Sequence, residues 1–133
     1  MRIFSMHKYS YVALALCFFS FILWVIYQAN TGQQTVFFQL VAAIPYGDKL
    51  GHFCLFGLLT LLVNFSLNFK TLRLGFTQLY LGSVLVSTFV IVEELSQFFI
   101  PNRTLDPLDL LADFVGILTF SLLSVYFQKS LEE

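Results

Sequence analysis

Six of the eight acids in this 133-residue chain are Asp48, Glu93, Glu94, Asp106, Asp109 and Asp113, and all but Asp48 fall in one run, EELSQFFIPNRTLDPLDLLADFVG, at positions 93–116. Carboxyl groups gathered in apolar surroundings have two uses. Kept neutral, one can give a proton to a leaving group; ionised, it can take a proton or hold a cation. Glu94 and Asp113 are therefore the candidate catalytic acid or base, joined by His52, whose imidazole changes charge near neutral pH. Asp48, Lys49, Glu93, Gln97, Arg103, Asp106 and Asp109 are the candidate binding residues. Among them Lys49 and Arg103 would hold anionic portions of a ligand, and Gln97 would orient the carboxylates. No Ser or Cys sits in a recognisable nucleophile motif, which disfavours covalent acyl transfer. A single His among acids is a poor zinc set, and oxygen-rich ligation would better suit Mg²⁺, Ca²⁺ or Mn²⁺. No metal ligand is assigned and the cofactor is left open.

Spacing decides which of these groups can meet. Glu93 and Glu94 precede Pro101 by seven or eight residues, about 10–12 Å of helix, and Gln97 lies at i+4 and i+3 from them, on a shared face. Asp106-Pro107-Leu108-Asp109 reads as an N-cap acid, a proline at the first helical position and an acid in the first turn, a pattern that stabilises a helix start without any catalytic duty. Asp113 escapes that explanation because it lies roughly 9 Å into the same helix, at the depth of Glu93 and Glu94. Gly116, one turn further, would let a neighbour approach closely, and the expectation is that it clamps the third and fourth spans around the acids. Asp48 and His52, at i and i+4, could join the cluster. Three carboxylates at this depth need neutralising, by Arg103, Lys49, His52, bound protons or a metal ion.

The elements that must position them are membrane helices. Hydrophobic residues make up 58% of the chain and charged residues 11%, the mean hydropathy is +0.81, and soluble domains average about a quarter charged. Four windows, at about 9–28, 50–68, 75–100 and 107–128, approach or exceed the roughly 18 apolar residues that crossing a bilayer requires. The expected fold is an all-α bundle of four transmembrane helices forming a single domain over residues 1–133. A charged side chain at mid-bilayer costs at least about 2.5–3.5 kcal/mol, so the buried acids must face a partner, a cavity or a substrate. Arg2, Lys8, Lys70, Arg73 and Lys129 lie at the termini and the middle loop, against Lys49 and Arg103 in the other two loops. By the positive-inside rule both termini face the cytoplasm, N-in and C-in, and the acids cluster toward the outer face.

The connection after the first span opens with a turn-like NTGQQ and continues as TVFFQLVAAIPYG, too short to cross and too apolar for water. It is expected to lie in the interface as a short helix ended by Pro45 and Gly47. The first span follows Arg2, His7 and Lys8 as a signal peptide would, but no small-residue cleavage site precedes the polar patch at 28–34, so it is read as retained. Cys17 and Cys54 read as small hydrophobes. The net charge of −1 implies no nucleic-acid partner.

Asp48-Lys49 with His52, then Glu94-x-x-Gln97, Pro101 and Arg103, then Asp109, Asp113 and Gly116, together resemble the VanZ-like membrane protein family. The likeness spans about half the chain and includes the order of the blocks. Where that family commonly carries Pro-Gly-Arg and an amide, this chain has Pro101-Asn102-Arg103 and Asp113, which adds a carboxylate. The resemblance implies a small multi-pass protein of the bacterial cytoplasmic (inner) membrane, in a family some of whose members are linked to resistance to glycopeptide antibiotics such as teicoplanin, with no reaction attached. The functional expectation is an acid-rich, outward-facing pocket that binds or processes the polar headgroup of an envelope lipid, a lipid-linked precursor or a glycopeptide-type drug. The alternative is a non-enzymatic structural or assembly protein of the cell envelope whose buried ion network only fixes helix packing. Whether it is an enzyme stays open, as does oligomer formation.

Overall fold

A computed structural model describes the backbone of residues 2–133 and the side chains from His7 onward. In chain order the elements are α1 (Arg2–Asn30), α2 (Val36–Ala42), α3 (Gly47–Ser66), β1 (Thr71–Leu74), β2 (Thr77–Tyr80), α4 (Leu81–Ser96) and α5 (Pro107–Glu132), with a single 3-10 turn, Gln97–Phe99, continuing α4. Four segments, His7–Asn30, Gly47–Ser66, Leu81–Phe99 and Pro107–Glu132, are long and apolar enough to cross a membrane. The bundle is apolar outside and partly polar inside. Leu118 and Leu122 are over 60% exposed, whereas Glu94, Gln97, Asn64, Asp113 and Ser124 are at most 1% exposed. Water would penalise that surface, and lipid would not.

The short connection forms α2 as expected, capped by Thr35, whose hydroxyl accepts the Phe38 N–H at 3.2 Å. It stops at Ala42, before Pro45, and Gly47 opens α3 instead of closing α2. A Cβ at Gly47 would lie 2.1 Å from the Val41 carbonyl oxygen, so only glycine permits this tight corner. As a result α3 begins three residues before the expected position 50 and carries Asp48 and Lys49 in its first turn.

The third span is shorter than hydropathy suggests, because residues 75–80 are not helical. Thr71–Leu74 and Thr77–Tyr80 pair antiparallel with Leu72 opposite Leu79 and Arg73 opposite Gln78. The chain reverses at Gly75, whose φ of +62° suits a two-residue hairpin loop. The fold is mostly helical with one short hairpin, and the correction is to the third span, which begins at Leu81 where position 75 was expected. A sliding window sums apolar content and cannot tell a strand from the first turns of a helix.

Buried Ile22, Phe56, Leu59, Val86, Val90 and Ile117 join α1, α3, α4 and α5 in one core. The closest helix crossing is between α3 and α5. A Cβ on Gly116 would sit 2.3 Å from the Phe53 carbonyl oxygen, and one on Gly57 would sit 2.4 Å from the Phe120 ring. Gly116 thus clamps the second span against the fourth, and the expected third-to-fourth clamp is corrected. Two glycines facing each other's helices bring the backbones together, the usual way for small residues to build contact in lipid.

Candidate functional site

α3 and α5 begin, and α1 and α4 end, at one end of the bundle. Asp48, Lys49 and His52 enter it from α3, Glu93 and Glu94 from α4, Gln97 from the 3-10 turn, Arg103 and Asp106 from the connection, and Asp109 and Asp113 from α5. The structure links all ten into one continuous network.

Lys49 spends its three N–H donors on three carboxylates: Asp48 at 2.9 Å, Asp106 at 2.6 Å, and Asp109. His52 Nδ1 is 2.8 Å from Asp113 Oδ1, and its Nε2 faces Asp109 Oδ2 at 3.7 Å. Arg103 Nη1 lies 3.5 Å from Glu93 Oε1 and donates to the Asn30 side-chain oxygen at 2.9 Å. Gln97 Nε2 donates to both oxygens of Glu93 and to Glu94 Oε2, each at 3.1 Å, and Glu94 Oε1 accepts the Asp106 N–H at 2.9 Å. The partners are thereby divided among the acids. Lys49 serves the rim, His52 serves Asp113, Arg103 serves Glu93, and Glu94 has only neutral donors.

Asp106 answers both readings of its position. Its Oδ1 caps α5 by accepting the Leu108 N–H at 2.9 Å, while its other oxygen takes Lys49. The Lys49 ammonium first, and the Leu108 N–H second, hold its carboxyl below the ordinary aspartate value of 3.8. Charge around the site is unbalanced. Six carboxylates meet the permanent cations Lys49 and Arg103 and the titratable His52, so the site has room for protons or a further cation.

Beside the network lies a cleft of about 260 Å³. One wall is apolar, formed by Ile22, Val25 and Ile26 of α1 and by Phe37, Phe38 and Val41 of α2. The rest of the lining carries the polar groups Asp48, His52, Glu93, Gln97, Arg103 and Asp109, together with apolar Leu55 and Phe56 of α3. Sequence reasoning placed the pocket among the second, third and fourth spans, and did not foresee that α1 helps to close it. Glu94 and Asp113 are not in the cleft wall; they stand behind Gln97 and His52, to which they are hydrogen-bonded.

Two further features were missed. Asn30, at the end of α1, receives Arg103 on its side chain and Asn102 on its carbonyl at 3.1 Å. At the opposite end, Asn64 Nδ2 donates to Ser83 and Ser124 at 3.1 Å each, and Ser83 meets Ser121 at 2.7 Å, tying α3, α4 and α5 through neutral groups. Asn64 and the serines gave no charge signal, although a lone Asn deep in an apolar span is itself a cue.

Compared with family models, with curated proteins and with solved structures, the chain finds no match in any of the three.

Proposed function

We propose that this protein is a VanZ-like component of the bacterial cytoplasmic membrane, inserted N-in and C-in, whose cleft opens to the outer leaflet and binds the headgroup of an envelope lipid or lipid-linked precursor. The observation that carries the reading is the mixed lining of the cleft: apolar side chains from α1 and α2 share it with carboxylates, an amide, an imidazole and a guanidinium. An amphiphile matches that mixture, with its chain against α1 and its polar end against Glu93, Gln97 and Arg103. A cleft of about 260 Å³ suits a headgroup and its first carbons better than a whole glycopeptide antibiotic. Any link to glycopeptide resistance would then run through the lipid-linked precursor.

In this reading Arg103 contacts an anionic portion, while Asp48, Glu93 and Asp109 attract a cationic one. If the ligand is turned over, His52 is the group positioned to move a proton in the cleft, with Asp113 fixing its orientation. Glu94 acts through Gln97 and Asp106.

The structural reading has one observation in its favour: each of the ten polar side chains already has a partner. A network in which every member has at least one partner can fix helix register without binding anything. Mass spectrometry of lipids that co-purify with the full-length protein, with Arg103→Lys and Glu93→Gln variants alongside, separates the two. One enriched headgroup class, lost in the variants at unchanged protein abundance, supports the cleft as a ligand site. Parallel loss of abundance and thermal stability, with no enriched lipid in the wild type, supports the network as scaffold.

A further inference from the structure

We infer that Asp48, His52 and Asp109 form a divalent-cation site at the cleft, for which the Lys49 ammonium is a tethered stand-in. The inference does not depend on the headgroup reading. One ligand atom from each of the three residues lies within 4.8 Å of the others, the spread of donors around one ion with bonds of about 2.1–2.4 Å.

His52 is oriented for this role. Its Nδ1 is engaged by Asp113 Oδ1 at 2.8 Å, so Nε2 is left facing Asp109 Oδ2 across 3.7 Å. That gap is too long for a hydrogen bond and fits two ligands of a shared ion. A carboxylate behind a histidine is also the arrangement that fixes the ring of a metal-bound imidazole.

A separate observation concerns one residue of the same cleft, Gln97. The buried side-chain atoms without a partner among the described residues are all oxygens: Asn64 Oδ1, Gln97 Oε1 and Asp113 Oδ2. Gln97 is 1% exposed and lines the cleft together with Asp48, His52 and Asp109. Of the three, Asn64 belongs to the neutral cluster at the other end and Asp113 stands behind His52, so it is the unused Gln97 acceptor that a cation or the water it carries would satisfy here. Two carboxylates and an imidazole make a mixed oxygen and nitrogen set that suits Mn²⁺ better than the all-oxygen preference of Ca²⁺ or the nitrogen and sulfur preference of Zn²⁺.

Lys49 bonds to Asp48 and Asp109, two of the three ligands, and also to Asp106, which is outside the set. An arriving ion would displace the ammonium onto Asp106 alone. Lysine and metal thus compete for the same two carboxylates, and removing the lysine should strengthen metal binding.

The test is a titration of the full-length protein in detergent micelles with MnCl₂, following free Mn²⁺ by electron paramagnetic resonance, with circular dichroism melts to verify folding. The wild type should bind a single Mn²⁺. Asp48→Asn, at an exposed position that leaves the fold unthreatened, and His52→Gln should each weaken binding by about tenfold or more. Lys49→Met should tighten it by about tenfold. Absence of binding to both the wild type and Lys49→Met at millimolar Mn²⁺ overturns the site, as does equal binding to the wild type, Asp48→Asn and His52→Gln. Unchanged affinity in Lys49→Met overturns the stand-in role. None of these results bears on lipid co-purification.

Discussion

Gln97 is the residue on which the inner acids depend. Its amide group serves Glu93 and Glu94 at once, with almost no access to solvent to replace it. Gln97→Leu keeps much of the volume and removes the donor, so it should destabilise the protein by about 1–3 kcal/mol, read as a lower melting temperature in detergent. At Asp106 the expected effect depends on pH. A carboxyl whose pKa is lower in the folded protein stabilises the fold above its unfolded value, and that contribution is lost as pH falls through the folded value. Asn also caps helices, so Asp106→Asn isolates the charge. The melting temperatures of wild type and variant should differ near neutral pH and converge as the pH drops below the ordinary aspartate value of 3.8.

Among the elements, α3 and α5 carry most of the site and meet where Gly57 and Gly116 remove side chains from the crossing. Gly116→Val should force the helices apart and cost about 1–3 kcal/mol, with Asp113 losing its hold on His52. Gly51→Ala is the contrasting case. A Cβ there meets nothing within 4 Å, so the melting temperature should hold or rise, as expected when alanine replaces a glycine within a helix. The two melts measured side by side check both expectations. The helix ends were legible from Asp106-Pro107 and from the i, i+3 and i+4 spacing of Glu93, Glu94 and Gln97, because caps and helical faces are local properties. The partner of Gly116 was not legible, since a small residue shows that something approaches without showing which helix. The hairpin was hidden for a related reason: Leu72, Leu74 and Leu79 are as apolar as a helix turn. Asn30 escaped notice because its importance arises only when the end of α1 reaches the connection between α4 and α5.

For the molecule as a whole, six acids gathered at one end of the bundle, with Lys70, Arg73 and Lys129 at the other, set a testable sidedness. In a variant lacking Cys17 and Cys54, a cysteine at Asn102 should react with a membrane-impermeant maleimide in intact cells, and one at Phe76, fully exposed at the hairpin tip, should react only in inverted vesicles. The reverse pattern would invert the proposed topology. The four long helices were legible because hydropathy counts length. The cleft was not, because its volume arises from how α1 and α2 lean over the acids. The tether between Asn30 and Arg103 couples these parts mechanically. Any splaying of α1 that widened the cavity for an incoming acyl chain would pull Asn30 from the guanidinium that neighbours Glu93, so the doorway and the electrostatic lining behind it would have to move in concert.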